Sequence, residues 1–101
     1  MSLPAMGGYS EVKDATPNEQ HLVDLVIPEI ERKRGMKFKQ HTATTFRNQI
    51  VQGTNYLIKI YVGSDEYLHA KIFQSLPCEG EKVTLQDFQS PKTKEDPLVP
   101  F

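Results

Sequence analysis

Three histidines and one cysteine are the side chains of this 101-residue chain best suited to chemistry, and their spacing brings them to no common task. His21, His41 and His69 are separated by twenty residues or more, no pair has metal-ligand spacing, and no carboxylate or cysteine completes a set. Each reads most simply as a structural or solvated residue. Cys78 with His69 is the one pairing available for nucleophilic catalysis. Cys78, however, sits in the Pro- and Gly-flanked run Leu76-Pro77-Cys78-Glu79-Gly80, away from any helix N-terminus that would lower its pKa. Gly7-Gly8 lacks the further glycines and the strand-to-helix setting of a phosphate loop. No catalytic constellation, metal site or cofactor site follows, and the chain reads as a non-enzyme.

Two apolar segments stand where turns are expected. Asn48-Gln49-Ile50-Val51-Gln52-Gly53 joins two strand-like runs and puts two β-branched residues near a hairpin apex, where Gly, Asn, Asp and Ser are usual. Leu76-Pro77 is the second, stiffened by its proline. The plain alternative is that Ile50 and Val51 only extend the strands, across a bulge before Gly53. The pattern alone leaves both readings open.

The elements that must carry these segments are legible. Thr16-Pro17-Asn18-Glu19 has the form of a capping box with proline at the first helical position. Leu22, Val23, Val26, Ile27 and Ile30 then fall on one helical face. Arg32, Lys33 and Arg34 suit the negative end of the dipole, and Gly35 supplies a stop, which predicts one helix over 17–34. Pro28 lies inside it. One bent helix is the first reading and a break the second.

Beyond Gly35 the period becomes two. Phe38, Gln40, Thr42, Thr44 and Phe46 share one face of a first strand, and Tyr56, Ile58, Ile60 and Val62 one face of a second. Leu68, Ala70 and Ile72 mark a third, and Val83, Leu85 and Asp87 a fourth. The connections are too short for parallel crossovers, so an antiparallel meander under one helix is expected, an α+β domain. Residues 1–101 form one domain, with 1–15 a flexible N-terminal trunk and 90–101 an extended C-terminal tail.

Composition narrows the class of partner. Twelve Lys and Arg against thirteen Asp and Glu leave a net charge of −1, with no electrostatic footprint for nucleic acid or an anionic membrane. The first residues have neither a basic n-region nor an apolar h-region, and the single cysteine allows no internal disulfide. A reducing compartment, the cytoplasm, is expected.

Taken in order, the segments resemble the stefins, the type 1 cystatins, and among them the stefin A-like members. Gln49-Ile50-Val51-Gln52-Gly53 is similar to the family's Gln-Val-Val-Ala-Gly hairpin, and Thr54-Asn55-Tyr56-Leu57-Ile58-Lys59-Ile60 follows it as in the family. Val62-Gly63 and Leu68-His69-Ala70-Lys71-Ile72-Phe73-Gln74-Ser75-Leu76-Pro77 continue the match, and Gly7-Gly8-Tyr9-Ser10-Glu11 with Ala15-Thr16-Pro17 resembles the trunk and helix start.

The resemblance implies a cystatin-like fold with a helix across four to five antiparallel strands. It also implies reversible, tight inhibition of papain-like cysteine proteases, that is papain and cathepsins of the B, H, L and S class. Gly7 and Gly8, Gln49 to Gly53, and Leu76 with Pro77 would line up as a wedge in the protease cleft. Residues Pro4 to Met6 would lie in the unprimed subsites, and the first hairpin would cover the catalytic Cys and His. A monomer is implied, with a domain-swapped dimer as its alternative form. Two departures stand out: Gln52 where the family has a small Ala, and Ile50 for Val. Gln52 aimed into the protease would alter binding, and aimed at solvent would not. A cystatin-fold interaction protein without inhibitory activity is the rival reading, and Gln52 is its support.

Overall fold

The computed structural model describes residues 8–101. Five strands and one long helix follow in the order β1 (Lys13–Asp14), α1 (Pro17–Arg34), β2 (Thr42–Val51), β3 (Gly53–Gly63), β4 (Glu66–Gln74) and β5 (Val83–Lys92). The sheet order is β1-β2-β3-β4-β5, and every neighbouring pair is antiparallel. This is the α+β arrangement that the change of period predicts.

Helix α1 begins and ends where its sequence signals stand. The Thr16 amide donates to Glu19 Oε1 at 2.9 Å, and the Asn18 amide donates to Thr16 Oγ1 at 3.3 Å. Gly35 closes the helix in the left-handed region at φ 71°, its N–H reaching the carbonyl of Glu31 at 2.8 Å. Pro28 does not break the helix. Pro28 and Asp24, whose carbonyl loses its usual amide donor, are both exposed, so water reaches the freed group.

Leu22, Val23, Val26, Ile27 and Ile30 pack on one sheet face against Phe46, Tyr56, Ile58, Ile60, Val62, Leu68, Ala70 and Ile72. These are the expected helix stripe and the expected alternate strand positions. The first strand differs from its expected face assignment. Phe38 and Gln40 precede it, and a bulge between Ala43 and Thr45 reverses the alternation, so that Ala43 pairs with Ile60 and packs on the core while Thr42 is exposed. Gln20 of α1 lies against this irregular start. Its Oε1 accepts from the Ala43 amide and its Nε2 donates to the His41 carbonyl, both at 2.9 Å, replacing ladder partners with a side chain.

The opposite sheet face is covered by the C-terminal segment. Leu57 faces away from the helix, in one row with Arg47 and Lys71, and is nevertheless buried. The three cations of this face hold the segment by its main chain. Arg47 Nη1 donates to the Leu98 carbonyl at 2.8 Å, and Lys59 Nζ to those of Lys94 and Asp96 at 2.7 and 2.8 Å. Lys71 Nζ donates to Phe101 O at 2.8 Å. Strand β5 runs on through Pro91 to Lys92, and the chain then turns over residues 93–96, where the Asp96 amide donates to the Thr93 carbonyl at 3.3 Å. No helix among the described residues is long and apolar enough to cross a membrane.

Candidate functional site

Strand register places the two apolar turns at one end of the sheet. Ile50 pairs with Thr54, Thr54 with Gln74, and Gln74 with Val83, so a single row crosses β2 to β5 just below both tips. Beyond that row lie Val51-Gln52-Gly53 on one side and Leu76 to Gly80 on the other, their axes two strand spacings apart, about 10 Å. The turn from β3 to β4, at Ser64 and Asp65, lies at the far end.

The first hairpin turns within a single residue, since Val51 still pairs with Gly53 and only Gln52 stands outside the ladder. Gly53 sits at φ 117°. A Cβ there would stand 2.6 Å from the Gln74 carbonyl oxygen and 2.6 Å from Phe73 Cζ, so the apex presses against β4. Asn55 Nδ2 donates to Gln49 Oε1 at 2.9 Å, forming a side-chain rung beneath the tip. Ile50 is 70% exposed and Val51 46%, and Gln52 is exposed as well. The open choice about this hairpin is thereby decided: Ile50 and Val51 do extend the ladder, and they are also solvent-facing apolar groups.

The second turn is built by its own main chain. Leu76 is extended, Pro77–Glu79 form a short 3-10 turn, and Gly80 is left-handed at φ 93°. The amides of Glu79 and Glu81 donate to the Leu76 carbonyl at 2.8 and 3.1 Å. Ser75 closes the base, its amide donating to the Lys82 carbonyl at 2.9 Å and its Oγ accepting from the Lys82 amide at 2.7 Å. Leu76 is 36% exposed, and Pro77 and Cys78 are exposed. These bonds fix an apolar knob with little left to order on contact.

The N-terminal segment enters from the same end. Lys13 and Asp14 pair with Phe46 and Thr45 of β2, so the chain before them runs antiparallel to β2 toward its tip. Ser10 is held at the level of Asn48: its amide donates to the Asn48 carbonyl at 2.7 Å, and its Oγ accepts from the Asn48 amide at 3.1 Å. Gly8 follows outward and is exposed. Gly7 lies outside the described residues. The paired part of the trunk thus reaches further toward the N-terminus than an arm spanning 1–15 would have it.

The histidines and the cysteine do not meet. His21 is exposed, and His41 Nε2 lies 3.4 Å from Asp24 Oδ1. His69 is 1% exposed under the C-terminal segment. Burial lowers its pKa to about 4, aided by Lys59 and Lys92 and opposed by Asp96. No three His, Cys, Asp or Glu side chains converge among the described residues. The residues that sequence reading missed are those bracing the edge. Ser10, Arg47 and Asn48 act across 37 or 38 positions of chain, where neither period nor motif gives a signal. Arg47, a lone cation three residues before the apolar Ile50, is the only hint.

Residues 7–95 match the model of the cystatin domain. Cystatin-B of Pan troglodytes is 42% identical over 95 residues, which is 94% of this chain and 97% of that protein. Cystatin-A of Homo sapiens is 42% identical over the same shares of both chains. Stefin-C of Bos taurus is 41% identical over 98 residues, 97% of each. With a helix across a five-stranded antiparallel sheet and a likeness that runs nearly end to end, the chain belongs to the cystatin family, in its stefin branch.

Proposed function

We propose that this protein blocks papain-like cysteine proteases, cathepsins included, by seating one end of its sheet in the active-site cleft. A general role in inhibiting cysteine proteases comes with the family. The finer reading rests on one observation: Ile50, Val51 and Leu76, all substantially exposed, stand at the end of the sheet from which the N-terminal segment also enters. Fully burying such a side chain is worth about 1.5–3 kcal/mol, so three apolar side chains on two preformed tips supply useful affinity with little ordering cost.

In this reading Gln49 to Gly53 cover the catalytic thiolate and imidazole of the protease, and Leu76 with Pro77 anchor the primed side. Gly7 and Gly8 pass the catalytic centre, where a missing Cβ permits close approach. The edge presents side chains and turn backbone rather than a scissile carbonyl held for attack, so the complex is an occluded one without turnover. The inhibitor acts reversibly, as a monomer, in a reducing compartment such as the cytoplasm.

Titration of papain with the purified protein tests the proposal. The expected outcome is loss of hydrolysis at sub-micromolar inhibitor, recovered on dilution. Undiminished hydrolysis at micromolar inhibitor overturns it.

A further inference from the structure

Arg47 touches both ends of the chain at once. Its Nε donates to the Ser10 carbonyl at 2.8 Å and its Nη1 to the Leu98 carbonyl at 2.8 Å. Ser10 is the last main-chain tie before Gly8, and Leu98 is the buried residue of the C-terminal segment, 4% exposed. The guanidinium donates along two fixed directions from one plane, which a lysine ammonium does not reproduce. We infer that Arg47 is a positioning residue that couples the seating of the C-terminal segment to the orientation of the N-terminal trunk.

The coupling has a defined route. Leu98, seated in the sheet face away from the helix, sets where its carbonyl stands. That carbonyl fixes one side of the guanidinium plane, and the other side then presents Nε to Ser10. Ser10 in turn holds Asn48 through two main-chain-directed bonds at 2.7 and 3.1 Å, three residues before the exposed Val51. Unseating Leu98 leaves Arg47 free to turn, and Ser10 loses a charge-assisted partner. The trunk then samples more orientations, and a ligand that needs one of them binds less tightly. That last step rests on the inhibitory reading above, while the coupling itself does not.

Amide hydrogen exchange of the full chain tests the coupling without a protease. Arg47→Met should speed exchange of the Ser10 amide about tenfold beyond any change in global stability, as for loss of a hydrogen bond to a charged group. Leu98→Ala, with Arg47 intact, should speed it in the same direction. The double variant should add little to either single change, because both act through one contact. Unchanged Ser10 protection in Arg47→Met, or fully additive effects, overturns the inference.

The functional arm is the papain dissociation rate. It should rise about tenfold in Arg47→Met, the factor that 1.4 kcal/mol represents, with partial recovery in Arg47→Lys. An unchanged rate, in a wild-type protein that does inhibit, overturns the role in binding. A wild-type protein that does not inhibit refutes the proposed function instead, and the exchange result still decides the coupling.

Discussion

Gly53 stands hard against Gln74: a Cβ on Gly53 would lie 2.6 Å from the Gln74 carbonyl oxygen and 2.6 Å from Phe73 Cζ, so any side chain there must displace β4 backbone as well as the Phe73 ring. The glycine also holds φ 117°, a conformation that side chains rarely adopt. Gly53→Ala should therefore lower stability by about 1–3 kcal/mol and displace the Val51-Gln52 apex. Urea unfolding measures the first effect and papain inhibition the second. A variant as stable and as inhibitory as the parent would show that the apex does not rest on β4.

Ile50 and Leu25 are both exposed apolar residues, at 70% and 51%, but only Ile50 is at the proposed binding edge. Ile50→Asp should weaken papain binding a hundredfold or more, since about 3 kcal/mol is expected from lost burial and a desolvated carboxylate. Leu25→Asp, on the exposed side of α1, should leave binding unaltered. Equal effects of the two substitutions would place the binding surface elsewhere.

Gln52 is the only residue of the first turn outside the strand ladder, and it is exposed. The family-like Gln52→Ala should leave stability within about 0.5 kcal/mol. Its effect should appear as a change in the ranking of cathepsins in an inhibition panel, because it alters bulk and polarity at the apex alone. An identical ranking would show that the side chain points to solvent in the complexes.

His69 makes stability depend on pH. Its folded pKa, about 4, lies below its ordinary 6.5, mainly because burial disfavours the charged ring. Above pH 6.5 the ring is neutral in both states and the contribution is intact. As pH falls toward 4 the unfolded chain takes up a proton that the folded chain refuses, and stability declines. The loss is at most about 3 kcal/mol, lessened by solvent screening of Lys59 and Lys92. His69→Gln should flatten this part of the curve, read as the urea midpoint between pH 7 and pH 4. A parallel curve for the variant would show that the acid loss comes from other groups.

Much of this protein follows from local rules, so the chain alone determined it. The capping box at Thr16, the stripe from Leu22 to Ile30 and the stop at Gly35 are relations within a few residues, and the helix lies where they put it. The alternation from Tyr56 to Val62 and from Leu68 to Ile72 is likewise local and matches the buried faces. The ordered motifs around Gln49 to Gly53 and Leu76-Pro77 carried the family, which the likeness over residues 7–95 shows.

Tertiary structure decided what depends on distant partners. Strand β2 changes face at its bulge between Ala43 and Thr45, next to main-chain groups of His41 and Ala43 that are taken by Gln20, more than twenty residues earlier. Leu57 is buried because the segment around Leu98 folds back over it, and Ser10 is held by both Asn48 and Arg47 of β2, distant in the chain. A period records which face a residue prefers. It does not record what will cover that face, because the covering group is brought there by the closure of the whole sheet.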